Sequence, residues 1–375
     1  MRICFYAPFK PLGHPNPSGD LIIATGLHDF LSSRGHEVLI ASRLRSRWIF
    51  LHPWRFPRII LAYLSAARQV RRFAPDIWLS YHCYYKAPDL LGPALCRKFR
   101  LPYCIFQGIY STKQRRSIKG MAGFYLNRHS LLQAVRVFSN RKIDHTNLAR
   151  LLPASRLSYI RPGIFPESFC FSKAARKEMR KNWQLQGEPV ILSAAMFRPD
   201  VKTQGLCWMI TSLARLAQQG VAFRLVIAGD GSERKALLAL AEKMLPGRVH
   251  FTGKIERKEM YRFYSAGDLF VFPGIRESLG MVYLEAQSCG LPVVAFDNGG
   301  IPEVVARDTT ALLTTPFDED KFCLAVKELL QDEEQRTRMG RAAADHVRNR
   351  HDLHKNYLHF EQILIQHAES HTRTQ

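Results

Sequence analysis

The sequence has no Cys-x-x-Cys pair, and no histidine stands at a spacing that would partner its eight cysteines. That excludes a zinc ribbon and a disulfide framework. Cys4, Cys83, Cys96, Cys104, Cys170, Cys207, Cys289 and Cys323 therefore read as small buried hydrophobes of a reducing compartment. No apolar run approaches the ~18 residues of a membrane span. The opening Met-Arg-Ile-Cys-Phe-Tyr-Ala-Pro reads as a strand and turn, without the apolar core of a signal peptide, so a cytoplasmic protein is expected. Internal repeats and low-complexity tracts are missing too. Acid is scarce: 32 Asp+Glu stand against 54 Lys+Arg, a formal charge of +22. Otherwise the composition is that of a globular protein, 46% hydrophobic and 23% charged. A length of 375 residues suggests two domains, each large enough for its own core.

The excess charge is lopsided. Residues 1–170 hold 26 Lys+Arg and 7 Asp+Glu, while residues 171–375 hold 28 and 25. Net charge speaks to partners and not to fold. The basic residues also keep apolar company. Arg43, Arg45, Arg47, Arg55 and Arg58 are interleaved with Trp48, Phe50, Trp54 and Phe56. Lys113, Arg115, Arg116 and Lys119 precede Met121, Phe124 and Tyr125. Cations beside aromatic side chains suit an anionic membrane surface. Nucleic acid is not expected, since no recognition motif accompanies the charge.

Short apolar runs alternate with helical patterns throughout, which predicts parallel βαβ units. In the first half, strands are expected at 2–7, 37–41, 76–80, 103–107, 134–139 and 158–161. After the Pro162-Gly163 turn the pattern restarts, with strands at 189–194, 223–228, 249–252, 269–272 and 292–295. Helices are expected at 205–218, 232–243, 258–265 and 280–288, and a terminal one at 352–366. Doubly wound sheets bind ligands beyond the carboxyl ends of their strands, at the switch point.

The densest chemical signal is Gly274-Ile275-Arg276-Glu277-Ser278-Leu279-Gly280-Met281-Val282-Tyr283-Leu284-Glu285, directly after the strand at 269–272. Glu277 falls in a strand-to-helix turn. Leu279, Gly280, Met281 and Val282 would offer backbone N–H groups at a helix N-terminus, which suits a diphosphate. Glu285 stands eight residues on, ~12 Å along a helix. One carboxylate at each end of a phosphate seat can hold two polyhydroxylated groups.

Glu277 to Glu285 matches the E-x7-E motif, and the chain resembles the retaining GT-B glycosyltransferases of family 4 (glycosyltransferase group 1). The likeness extends over Leu225-Val226-Ile227-Ala228-Gly229-Asp230-Gly231, Ala266-Gly267-Asp268-Leu269, Gly290-Leu291-Pro292-Val293-Val294 and Gly299-Gly300-Ile301-Pro302-Glu303. It is dense over residues 190–305 and thinner before them. The resemblance implies an α/β GT-B fold, two facing Rossmann-like doubly wound domains with a cleft between them. Residues 1–165 would bind the acceptor and residues 166–350 the nucleotide-sugar donor, with a helix at 351–375 returning to the first domain. It implies that Glu277 contacts the donor hexose, that Leu279 to Val282 seat the diphosphate, and that Glu285 binds the ribose diol. Lys202 and Arg198 would stabilise charge on the leaving phosphate, and Gly19 fits the family's glycine loop near the donor. The family often has a histidine where this chain has Gln107. No metal and no cofactor are implied; the nucleotide-diphosphate sugar is a co-substrate.

The reading is a retaining hexosyltransferase. It would move a hexose to an anionic, membrane-associated glycan or glycolipid acceptor, such as a lipopolysaccharide or a lipid-linked saccharide, at the inner face of a membrane. A nucleotide-sugar epimerase on the same fold and a basic membrane-binding protein without catalysis are the alternatives. A dinucleotide oxidoreductase is disfavoured. Gly229-Asp230-Gly231-Ser232-Glu233-Arg234 lacks the third glycine, and no ribose-binding acid stands about 20 residues on. His36 and His82 are candidate acid–base groups, although a lone histidine is more often structural.

Overall fold

The computed structural model describes residues 1–15 and 19–372, and divides into two units, Met1–Arg161 with Lys355–Gln375, and Pro162–His354. In unit 1 the order is β1 (Arg2–Tyr6), α1 (Gly19–Ser33), β2 (Glu37–Ser42), α2 (Phe56–Phe73), β3 (Ile77–Cys83), α3 (Gly92–Phe99), β4 (Tyr103–Gly108), α4 (Met121–Gln133), β5 (Arg136–Ser139), α5 (Lys142–Leu148) and β6 (Leu157–Tyr159). All pairings in its sheet are parallel, in the order β2-β1-β3-β4-β5-β6. The apolar runs explain this. Ile3, Cys4 and Phe5 are sealed on both faces, as are Ile77, Trp78 and Leu79, and only a sheet covered by helices on both sides gives such burial.

Unit 2 continues with α6 (Lys173–Asn182), β7 (Val190–Ala194), α7 (Val201–Gln218), β8 (Arg224–Ala228), α8 (Arg234–Met244), β9 (Val249–Gly253), α9 (Met260–Ala266), β10 (Leu269–Val271), α10 (Met281–Ser288), β11 (Val293–Phe296), α11 (Ile301–Val304), β12 (Ala311–Thr314), α12 (Glu319–Gln331) and α13 (Glu333–Arg350). Its strands are also parallel, in the order β12-β11-β10-β7-β8-β9. Here the switch point lies between β7 and β10. In unit 1 it lies between β1 and β3. The final helix, α14 (Leu353–Thr372), lays Tyr357, Phe360 and Leu364 into the core of unit 1. Phe360 meets Phe106 and Phe138 at centroid distances of 5.0 and 4.7 Å.

Several expectations need correction. The second sheet has six strands, because β12 extends it beyond β11. Lys202 lies in the first turn of α7, not in the preceding loop, because Asp200 caps the helix by accepting from the Lys202 amide at 2.8 Å. The pattern at 258–265 begins as a 3-10 turn, and its helix starts at Met260. Cys170 is exposed and Cys207 half-buried, while the other six cysteines are buried and all eight are free. Phe124, expected among surface aromatics, is buried against Tyr110.

Candidate active site

In unit 2, Lys202 follows β7 and Glu277 follows β10, the two strands that flank the switch point. The fold therefore brings together two residues 75 positions apart, and the Lys202 Nζ donates to Glu277 Oε2. Glu277 is largely enclosed, with 12% of its side chain exposed, and the Phe272 ring lies 5.6 Å from the lysine nitrogen. The other carboxylate oxygen accepts from the Ser278 amide at 3.0 Å. The Glu277 turn is gripped from outside by Gly299 and Gly300. The Gly300 amide donates to the Glu277 carbonyl at 2.9 Å. Gly299 has φ 61°, and a Cβ there would lie 2.1 Å from the same carbonyl. Only glycine permits both the conformation and the approach.

Leu279, Gly280, Met281 and Val282 run from this turn into α10. Gly280 is its N-cap, at φ 68°. The first amides of an α-helix have no partner inside it, and the aligned peptide dipoles make that end positive. The carboxylate–lysine pair and the free helix end thus adjoin one another. Glu285 lies farther along α10 and is 6% exposed. Tyr264 Oη donates to its Oε2 at 3.0 Å, and Arg257 approaches its Oε1 at 3.2 Å. Burial pushes the Glu285 carboxyl above its ordinary range, opposed in part by the Arg257 charge and the tyrosine hydrogen bond. Burial and the Glu285 charge push the Tyr264 hydroxyl up in turn. Arg198 remains exposed on the β7–α7 loop, its carbonyl accepting from Thr203 Oγ1 at 2.6 Å.

Sequence reasoning missed Arg257 and Tyr264. They stand on the β9–α9 connection and on α9, and no local motif ties them to α10. A buried carboxylate needs partners, which is the one signal that could have prompted a search for them.

In unit 1, Gly19 opens α1, and the next residue, Asp20, pairs with His82 Nδ1 at the end of β3. His82 adopts a left-handed backbone conformation, φ 58°, and Gln107 at the end of β4 does the same, φ 60°. Non-glycine residues held there mark places where the surroundings outweigh backbone preference. His36, by contrast, is structural: its Nε2 lies 2.7 Å from Glu361 of α14, which Arg34 also holds.

Residues 175–346 match the family described as glycosyl transferases group 1. A GDP-mannose-dependent alpha-(1-6)-phosphatidylinositol monomannoside mannosyltransferase of Mycobacterium tuberculosis is 32% identical over 203 residues, 52% of each chain. The chain therefore spans about half the length of that curated relative. An N-acetyl-alpha-D-glucosaminyl L-malate synthase of Bacillus anthracis is 24% identical over 93% of this chain and 94% of that one. Among solved structures, Anabaena HepE in complex with UDP superposes with a TM-score of 0.76 at 18% identity, covering 98% of this chain and 100% of that one. With two doubly wound units and this likeness to solved structures, the chain has the GT-B fold, and its second unit resembles the glycosyl transferases group 1 family over residues 175–346.

Proposed function

We propose that the protein is a retaining hexosyltransferase, with unit 2 as the donor-binding domain and unit 1 as the acceptor-binding domain. The observation that carries this reading is the Lys202–Glu277 pair at the switch point, beside the free amides of α10. In this reading Glu277 accepts hydrogen bonds from hydroxyls of the donor hexose. Lys202, with Arg198, neutralises the charge that grows on the diphosphate as the glycosidic bond breaks. The amides of Leu279 to Val282 hold that diphosphate, and Glu285 accepts from the ribose diol. The leaving phosphate itself takes the proton of the incoming acceptor hydroxyl. No step calls for a metal or cofactor.

The acceptor is an anionic glycan or glycolipid presented at the inner face of a membrane. The support is on unit 1. Trp54 is 72% exposed and Leu61 66%, with Phe56, Ile60 and Leu64 also bare, and the exposed Arg55 and Arg58 stand among them in sequence. Ile118, Met121 and Tyr125 form a second exposed apolar group after Lys113, Arg115 and Arg116. The attachment proposed is peripheral; among the described residues no helix is long and apolar enough to cross a membrane. The mycobacterial relative is named for a phosphatidylinositol-linked acceptor.

The test is a donor screen that follows nucleotide release from UDP-, GDP- and ADP-hexoses, with and without lipid-linked acceptors. One donor should turn over, and Glu277→Ala and Lys202→Ala should each remove most of that turnover while leaving the melting curve in place. Near-normal turnover in both variants would refute the site assignment.

A further inference from the structure

Beyond β2 the chain builds a pocket that neither the hexose site nor the diphosphate seat uses. From Arg43 to Trp48 the segment alternates. Arg43, Arg45 and Arg47 are exposed, whereas Leu44 and Trp48 are partly buried and Ser46 is fully buried. Ser46 is pinned by its amide, which donates to the Pro8 carbonyl at 2.8 Å, and Trp48 by its amide on the Lys86 carbonyl, also at 2.8 Å. Arg43, Arg45 and Arg47 all line the same concavity. Two 3-10 turns, Ile49–Leu51 and Pro53–Arg55, then fold the chain back and add His52, Arg55 and Arg58.

The result is a concavity of about 590 Å³ lined by five arginines, and no Asp or Glu of the described residues lines it. None of the five forms an ion pair with a carboxylate among the described residues. Arg45 Nε donates to the Phe9 carbonyl at 3.2 Å, and the Arg47 guanidinium lies 5.7 Å from the Phe9 ring centroid. Phe9 in turn packs edge-on against His82, 5.1 Å between centroids. The N-terminus of the 18-residue α2 adds a positive dipole end at Arg55, its N-cap.

Five like charges gathered in one hollow repel one another, and nothing in the apolar core requires them. All five are arginine, the side chain whose planar fork matches phosphate oxygens two at a time. The pocket stands at the carboxyl edge of the sheet, where doubly wound folds bind ligands. Phe9, which Arg45 and Arg47 touch, links the pocket to His82, and the lining residues Arg55 and Arg58 stand at the start of α2, on which Ile60, Leu61 and Leu64 are exposed. We propose that this pocket is a phosphate seat: it takes the phosphoryl or diphosphoryl group of the acceptor, with the saccharide directed towards His82 and any lipid chain towards Trp54 and Leu61. The inference rests on the acceptor being bound by unit 1.

The full-length Lys202→Ala protein, in which the diphosphate seat of unit 2 is weakened, is titrated calorimetrically with inorganic pyrophosphate. One site per chain is expected, with affinity falling as salt is raised. Adding Arg43→Gln/Arg45→Gln, or separately Arg55→Gln/Arg58→Gln, should weaken it by at least about tenfold. If both pairs melt like the parent and bind pyrophosphate as the parent does, the proposal is overturned. Phosphatidylcholine vesicles doped with phosphatidic acid, or with phosphatidylglycerol at matched surface charge, identify the source. Preference for phosphatidic acid, lost with the arginines, assigns the phosphate to a lipid. Equal retention on both, with the pyrophosphate site intact, assigns it to a soluble saccharide, and either result supports the seat. Wild-type protein that binds no nucleotide sugar would sink the transferase reading and leave the pyrophosphate result standing.

Discussion

Glu285→Gln should make the protein more stable and a poorer binder at once. The carboxylate is almost sealed from water, and burial already pushes its pKa up. Removing a buried charge relieves a desolvation cost of several kcal/mol. Against that stand the pair with Arg257, whose own side chain is 56% exposed, worth ~0–1 kcal/mol, and the Tyr264 hydrogen bond. That bond persists to an amide oxygen but loses ~1 kcal/mol of its charge assistance. The balance is a gain of about 1 kcal/mol, or about 2–4 °C in the melting of a unit of this size. Nucleotide affinity should move the other way. Losing charge-assisted hydrogen bonds to a ribose diol costs ~1.5–3 kcal/mol, roughly ten- to hundredfold in Kd. Differential scanning calorimetry and nucleotide titration read the two effects separately. The pH dependence has a definite sign. A folded pKa above the unfolded value makes the ionised group destabilising at high pH, and that penalty vanishes as pH falls through the raised value. The stability advantage of the glutamine variant should therefore shrink on acidification. A variant that loses more than about 1 kcal/mol, or binds nucleotide normally, would show that Glu285 serves the fold and not a ligand.

Asp268, after α9, is held by Arg176 at 2.5 Å, Arg180 at 3.1 Å and the Val190 amide at 2.7 Å. Burial raises its pKa, but Arg176 and the other partners outweigh that, so the net shift is downward. Asp268→Ala should cost ~3–5 kcal/mol in thermal melts at neutral pH. That difference should be lost as pH falls below the ordinary aspartate value of 3.8 towards the depressed folded one; a gap that persists in acid would contradict the assignment. Gly299→Ala forces a Cβ onto the Glu277 carbonyl, so nucleotide-sugar binding should fail with only a modest change in global melting, and intact binding would mean that the turn can shift freely. Arg115→Gln/Arg116→Gln should lower partitioning to anionic vesicles roughly 30-fold, at about 1 kcal/mol per basic residue near the leaflet, and unchanged co-sedimentation at low salt would exclude this patch from the membrane contact.

The strands at the centre of each sheet were legible because they are buried on both faces, so their apolar runs stand out without any partner being known. β12 was not: Ala311–Thr314 is four residues long at a sheet edge, with polar residues beside it. α13 escaped for a different reason. Its buried face is Met339, Gly340, Ala343, Ala344 and Val347, small residues that let it approach Gly290 closely but give little hydrophobic contrast against a strongly charged remainder. In the candidate site, Glu277, Leu279 to Val282 and Glu285 could be read because they lie in one stretch of chain. Lys202 came from resemblance, and its pairing with Glu277 is a product of sheet order. Arg257, Tyr264 and the Asp20–His82 pair are contacts made only by folding, and no periodicity announces them.

The placement of α14 gives the polypeptide an order of assembly. Unit 2 is one uninterrupted stretch, and all of it emerges from the ribosome before residues 355–372. Unit 1 is begun first and completed last, since Tyr357, Phe360 and Leu364 fill its core and Glu361 joins Arg34 and His36. During synthesis the early half must therefore wait with Phe30, Phe106 and Phe138 lacking the aromatic partners that α14 supplies. Such a waiting surface is a natural client for a chaperone. A chain stopped at His354 should leave a foldable second unit attached to an adhesive first one.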